Sequence, residues 1–276
     1  MANQKGNTST LFRVLQGALI GLGAVLPGIS GGVLCVIFGV YQPLMEVLSN
    51  PVNGVKKHLK MLIPIVIGIV IGFLGVAKLL GFLLTRYENP SVCLFVGLIA
   101  GMIPSLYREA GEQGRGKSSF VALGAAFALV LALLVALKVI QVSIVPNFVW
   151  YLFCGFCLAL SIIAPGMSFS TLLMPLGLYT PFIDGIGNLD FGVLIPGGVG
   201  ALLTIVLLAR AVDMLLRRHY SVMFHAIIGI VIAATIVIIP FSSFTGVSAI
   251  VNAVCMAAGV VIALALDKFN SSVEKA

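Results

Sequence analysis

Six stretches, at residues 61–85, 92–106, 120–142, 191–216, 221–240 and 248–266, are apolar over lengths close to the roughly 20 residues a helix needs to cross a bilayer. In hydrocarbon every backbone N–H and C=O must find its partner within the protein, which restricts spanning segments to helices and closed barrels. Runs of this length and uniform apolarity predict helices. The chain is therefore expected to be an all-α polytopic membrane protein, with residues 1–276 forming one transmembrane domain. Composition agrees, since charged residues make up 9% of the chain against about 25% in soluble domains.

The net charge of +7 does not point to nucleic acid. Lysines and arginines gather in short connectors, "NGVKKHLK", "REAGEQGRGKSS" and "RRHY", as the positive-inside rule distributes them. Loops 49–60, 107–119 and 217–220 are thus expected in the cytoplasm, with both termini, and the protein in the cytoplasmic (inner) membrane. Lys5 and Arg13 precede an apolar run resembling a signal peptide, but no small-residue cleavage site follows. That run is expected to belong to the mature fold. Cys35, Cys93, Cys154, Cys157 and Cys255 all lie in apolar segments, so the "CGFC" pair reads as packing rather than redox chemistry. His58, His219 and His225 lack metal-ligand spacing, and hydrolase, zincin and P-loop motifs are missing. No metal, cofactor or catalysis is expected.

One feature departs from the simple span pattern, and it occurs twice. "PGISGGVLCVIFGVYQPL", beginning at Pro27, aligns without a gap on "PGMSFSTLLMPLGLYTPF", beginning at Pro165. Pro27 meets Pro165, Gly28 meets Gly166, Ser30 meets Ser168, Gly39 meets Gly177 and Tyr41 meets Tyr179. Glu46 faces Asp184. With the second copy shortened by six residues, the likeness continues through "LIPIVIGIVIGFLGVAKLLGFLLTR" and "LIPGGVGALLTIVLLARAVDMLLRR". There Gly68 meets Gly200, Lys78 meets Arg210, Arg86 meets Arg218 and, further on, Gly97 meets Gly229. The chain thus holds two repeats, at about 11–142 and about 148–268.

If the basic loops face the cytoplasm, the second proline–glycine unit must enter and leave on one face. Each repeat is then a re-entrant helix hairpin plus three transmembrane helices, and the repeats are inverted, as in many transporters. Spanning units are the alternative and would put "RRH" outside. Pro27 and Pro165 would end one half-helix, and Ser30 and Ser168 would cap the next. Gly31 and Gly32 let a ligand approach the backbone. Free helix N-termini at such breaks suit an anion; close helix packing is the other reading. Lys78 and Arg210 are intramembrane cations suited to a phosphate, or else side chains reaching for the interface. Asp213 pairs with Arg210 or carries a coupling proton. Glu46 and Asp184 bind a coupling cation or are solvated acids at helix ends. Arg13 suits the lipid headgroup region.

The paired "PGISGG" and "PGMSFS" segments, followed by "GVYQPL" and "GLYTPF", resemble a bacterial and archaeal membrane family, the undecaprenyl phosphate translocases called PopT. The resemblance implies return of the C55 lipid carrier to the cytoplasmic leaflet for cell-envelope synthesis. It implies Pro27, Gly28, Ser30, Gly31 and Gly32, then Pro165, Gly166 and Ser168, as motif positions. The second copy has Phe169 and Ser170 where the first has two glycines. The expected headgroup set is Ser30, Gly31, Gly32, Ser168, Ser170, Lys78 and Arg210. The phosphate would sit between the hairpin tips during alternating access while the tail stays in lipid. The expected partners are the lipid phosphate and membrane lipids; a homo-oligomer stays open. A transporter or channel for a small soluble anion, or a non-transporting scaffold, remains the alternative.

Overall fold

The computed structural model describes residues 2–25, 34–35, 38–40, 43–44, 46–47, 51–140, 144–163 and 168–273, without the side chains of residues 2–9, 51–53, 55, 209, 210, 213, 217 and 269–273. The described residues form helices and no strand. In order these are α1 (Ala2–Val25), α2 (Pro51–Arg86), α3 (Glu88–Glu109), α4 (Lys117–Val139), α5 (Phe148–Ile163), the short α6 (Phe169–Leu173), α7 (Tyr179–Gly187), α8 (Phe191–Ile238) and α9 (Gly246–Val273). Six segments among the described residues are long and apolar enough to cross a membrane: Lys56–Arg86, Glu88–Glu109, Lys117–Val139, Phe191–Leu208, Arg218–Ile238 and Gly246–Lys268. They coincide with the six runs expected from sequence, and the short 92–106 run extends at both ends into the 22 residues of α3.

Sequence explains which helices are enclosed. α3 carries Ser91, Cys93, Gly97 and Gly101 on a buried face, and these small residues let α9 approach at backbone distance. A Cβ on Gly97 would overlap the Met256 carbonyl oxygen. α4 is apolar on every side and nearly all of it faces outward, which is the pattern of a helix solvated by lipid. Its seam is Gly229 of α8, where an added Cβ would overlap the Leu123 carbonyl oxygen.

Helix α8 cannot be one straight rod. At 48 residues it would be about 72 Å long. Yet Val193, near its start, packs on Gly185, and Val237–Ile239, at its end, share a cavity with Gly177–Thr180 on the same short segment. The chain folds back at His219, the one residue with non-helical dihedrals (φ −134°, ψ 42°). Asp190 starts the first limb from an extended conformation, its carboxylate accepting from the Gly192 N–H at 2.8 Å.

The sequence repeat is matched by repeated geometry. Gly17 of α1 presses on the Ile65 carbonyl of α2, and its counterpart Gly155 of α5 presses on the Gly197 carbonyl of α8. Gly68 and Gly200 return the contact to the carbonyls of Val14 and Leu152. Gly39 and Gly177 both adopt left-handed backbone, with φ of 66° and 70°, a conformation favouring glycine. Tyr87, between α2 and α3, has φ −133° and ψ 54°, nearly the dihedrals of its counterpart His219. The third span of each repeat packs on the second span of the other, α9 on α3 and α4 on the second limb of α8.

The largest core cluster joins the halves. Phe169 of α6 and Tyr179 and Phe182 of α7 are fully buried with Phe95 of α3. Cys154 and Cys157 lie in this cluster as buried free thiols, consistent with packing.

Candidate functional site

The segment after α5 is the best described part of the candidate site. α5 ends at Ile163, and Ser168 stands at the N-cap position of α6 with extended backbone (φ −113°, ψ 134°). Its hydroxyl does not cap the helix as the sequence suggested. Instead Ser168 Oγ and Ser170 Oγ are 2.7 Å apart, and the Ser168 carbonyl accepts from the Thr171 hydroxyl at 2.6 Å. A serine at N-cap ordinarily accepts from N2 or N3; here Ser170 competes for that oxygen. Ser170 is wholly buried. The half-helix is only five residues long and gives way to a 3₁₀ turn, Met174–Leu176, before Gly177 redirects the chain into α7.

The two halves meet through Tyr179. Its buried hydroxyl donates to the Val25 carbonyl at the end of α1, 2.8 Å away, satisfying one of the orphan carbonyls of that helix terminus. Sequence reasoning aligned Tyr179 with Tyr41 but gave neither a role; a hydroxyl retained in both copies was the available signal.

α2 packs on α7 beside two candidate residues. Gly187 lies against the Lys78 backbone, and Gly81 lies against Asp184. The Lys78 side chain is exposed and has no ion-pair partner among the described residues. Asp184 accepts from the Asn188 side-chain amide at 3.1 Å. Glu46 is engaged differently: Lys57 Nζ donates to both of its oxygens, at 2.9 and 3.1 Å, and the His58 ring bonds to it as well. The Lys57 ammonium and the His58 ring hold the Glu46 carboxyl below the ordinary carboxylate range. Pro27, Gly28, Ser30, Gly31, Gly32, Pro165 and Gly166, with the side chains of Arg210 and Asp213, lie outside the described residues.

Two cavities flank these elements. One, of about 350 Å³, is apolar and lies between α2 and the first limb of α8, with Phe73, Leu74, Phe182, Ile186, Val193 and Leu194 among its walls. The other, of about 790 Å³, opens at one end of the bundle. The end of α2, the start of α3, the ends of α4 and α8, and the Met174–Thr180 segment surround it. Lys138, Glu88, Thr85, Thr180 and Ser242 contribute polar groups to its wall. Lys138 was not singled out in the sequence, having no cationic repeat partner to mark it. The basic connectors lie at the opposite end, where Arg108 binds Asp267 at 2.6 Å and Ser119 meets Ser221 at 3.0 Å. Among the described residues no His, Cys, Asp and Glu cluster could hold a metal.

Comparison with known proteins follows the same direction. The chain matches the undecaprenyl phosphate translocase-like family over residues 1–107 and 51–256. It is 26% identical over 236 residues to a polyprenyl-phosphate transporter of Vibrio cholerae, covering 80% of this chain and 75% of that protein. It is 24% identical over 282 residues to a polyprenyl-phosphate transporter of Staphylococcus aureus, covering 95% of this chain and 98% of that one. No solved structure matches the chain. These names denote transport and not catalysis. With most of its length matched, the chain belongs to the undecaprenyl phosphate translocase-like family.

Proposed function

We propose that the protein carries a polyprenyl phosphate of the undecaprenyl phosphate class across the cytoplasmic membrane to its inner leaflet, by alternating access between two inverted repeats. The observation that carries this reading is the duplicated break in the span pair. Tyr87 and His219 are repeat counterparts with matching dihedrals. Tyr87 lies between residues lining the large cavity, whereas His219 lies near Ser221 and its partner Ser119, at the other end of α4 from Lys138. Equivalent turns at opposite ends of a bundle are what an inverted repeat produces.

Orientation follows from charge. Lys56, Lys57, Lys60, Arg108, Arg115, Lys117 and Arg218 gather at the end away from the cavity, so that end and both termini face the cytoplasm. The large cavity then opens outward, where a used lipid carrier waits. The headgroup passes between the hairpin breaks, to Ser168 and Ser170 in the second copy and Ser30, Gly31 and Gly32 in the first. Lys78 and Arg210 engage it at different depths. The apolar cavity between α2 and α8 offers the first isoprene units a place beside the bundle while the rest of the tail stays in lipid. Asp184, beside Gly81, and Asp213 are the acids proposed for coupling, with Glu46 able to take part only by exchanging its pair with Lys57 and His58.

Native mass spectrometry of the purified protein with undecaprenyl phosphate, undecaprenol and inorganic phosphate tests the substrate. The phosphorylated lipid should be retained in preference to both. Equal retention of undecaprenol, or retention of inorganic phosphate alone, would contradict the proposal. If charge removal at both Lys78 and Arg210 leaves retention and transport unchanged, those two are not headgroup ligands.

A further inference from the structure

The cavity of about 790 Å³ contains two opposite charges that do not meet. Lys138 and Glu88 both line it, yet neither is in an ion pair among the described residues. Lys138 also departs from the ordinary behaviour of a lysine in the last turn of an apolar helix, which is to extend into the headgroup region. Its Nζ instead turns across the α4–α8 seam and donates to the Val237 carbonyl at 2.6 Å. That bond uses one of three ammonium hydrogens and holds the charge at the cavity wall, with two donors free. The Thr180 and Ser242 hydroxyls line the same space and make no hydrogen bond among the described residues. Thr85 Oγ1 donates to the Gly81 carbonyl at 2.8 Å, which leaves its lone pairs to accept.

We infer that this cavity is a receiving site for a phosphate monoester headgroup, with Lys138 its charged ligand and Thr180 and Ser242 its neutral donors. The inference rests on the proposed lipid-phosphate transport and names a residue for its first step. The chemistry is that of a singly phosphorylated ligand. One ammonium and two hydroxyls match the terminal oxygens of a phosphate monoester, and Thr85 can accept from a protonated one. Glu88 opposes any excess negative charge and keeps the site from being a general anion sink. The apolar remainder of the wall, including Leu84, Val92, Met174 and Ile238, suits the first carbons of an attached chain better than a hydrated free anion.

The experiment is retention of undecaprenyl phosphate, undecaprenol and inorganic phosphate by the full chain in native mass spectrometry, comparing wild type with Lys138→Gln, Lys138→Arg and Glu88→Gln. Loss of one charge-assisted contact should weaken retention of the lipid phosphate by about tenfold or more in Lys138→Gln. Lys138→Arg should recover most of it, and Glu88→Gln should bind at least as tightly as wild type. If wild type prefers the lipid phosphate and Lys138→Gln retains it equally, the role of Lys138 is refuted while the transport reading stands. If wild type shows no such preference, the transport reading itself fails. If inorganic phosphate displaces the lipid at equal concentration, the site serves a free anion and the inference is overturned. Folding of the variants is bypassed by a second measurement with Lys138 intact. A Phe241→Cys protein, the new thiol lying in the cavity wall away from the proposed donors, in a background with Cys255→Ser, should react with a membrane-impermeant maleimide at least several-fold more slowly when undecaprenyl phosphate is present. An unchanged rate would refute occupancy of the cavity.

Discussion

Replacing Gly155 by alanine probes one of the tightest helix contacts among the described residues. A Cβ at Gly155 would overlap the Gly197 carbonyl oxygen and stand 2.8 Å from both the Gly197 carbonyl carbon and the Ala201 nitrogen. An ordinary non-bonded approach is about 3.5 Å, so α5 and α8 must separate by more than about 0.5 Å along a seam of backbone atoms that no rotamer can relieve. Such overpacking costs about 1–3 kcal/mol. Against it stands the helix-propensity gain of alanine over glycine, about 1 kcal/mol. The same gain operates unopposed at Gly75 and Gly124, where an added Cβ meets nothing within 4 Å. Gly155→Ala and its repeat counterpart Gly17→Ala should therefore be less stable than Gly75→Ala and Gly124→Ala by about 2 kcal/mol. For a chain of this size that is a separation of roughly 4–8 °C in melting temperature. Thermal unfolding of the four variants in one detergent measures it. If the two classes melt together, the glycine seams are not the contacts that hold the repeats, and the repeated geometry loses its energetic meaning.

Other outcomes follow from single contacts. Tyr179→Phe deletes the bond to the Val25 carbonyl and should lower stability by about 1 kcal/mol, read as a drop of a few degrees in melting temperature; an unchanged value would mean the two halves are not tied there. Glu46 has a folded-state pKa lowered from its model-compound value of 4.5, so its pairing stabilises the fold above that value and is lost as pH falls through the lowered one. Glu46→Gln should flatten the stability profile only below about pH 4.5, and an equal slope in both proteins would exclude this pair as its source. Ser168→Ala with Ser170→Ala should weaken retention of undecaprenyl phosphate without lowering that of undecaprenol. A matched loss of both would assign the serines to packing.

Much of this architecture was legible because membrane solvation leaves few options. Hydropathy alone located the six long spans, and the gapless match of Pro27–Leu44 on Pro165–Phe182 exposed the duplication. Side-chain roles were less legible. Ser168 occupies the N-cap position as expected, but its oxygen is taken by Ser170, a competition between two hydroxyls that spacing cannot rank. Glu46 reads as a free acid until folding brings Lys57 and His58, more than ten residues away in sequence, onto its carboxylate. Lys138 drew no notice in the sequence because its partner is a backbone carbonyl 99 residues distant, and backbone acceptors leave no trace in sequence. The breaks near residues 86–91 and 217–220 were legible from the gaps between apolar runs, but the turns at Tyr87 and His219 carry no glycine or proline, so the residue at which each helix breaks was not.

The central claim is movement of a lipid phosphate, and reconstitution tests it most directly. Purified protein in vesicles containing undecaprenyl phosphate is exposed to a phosphatase that acts only on the outer leaflet, beside protein-free vesicles. The account predicts that the protein exchanges lipid between leaflets, so that the phosphatase reaches nearly all of it instead of about half. Digestion that stops at the same level with and without protein would contradict the account.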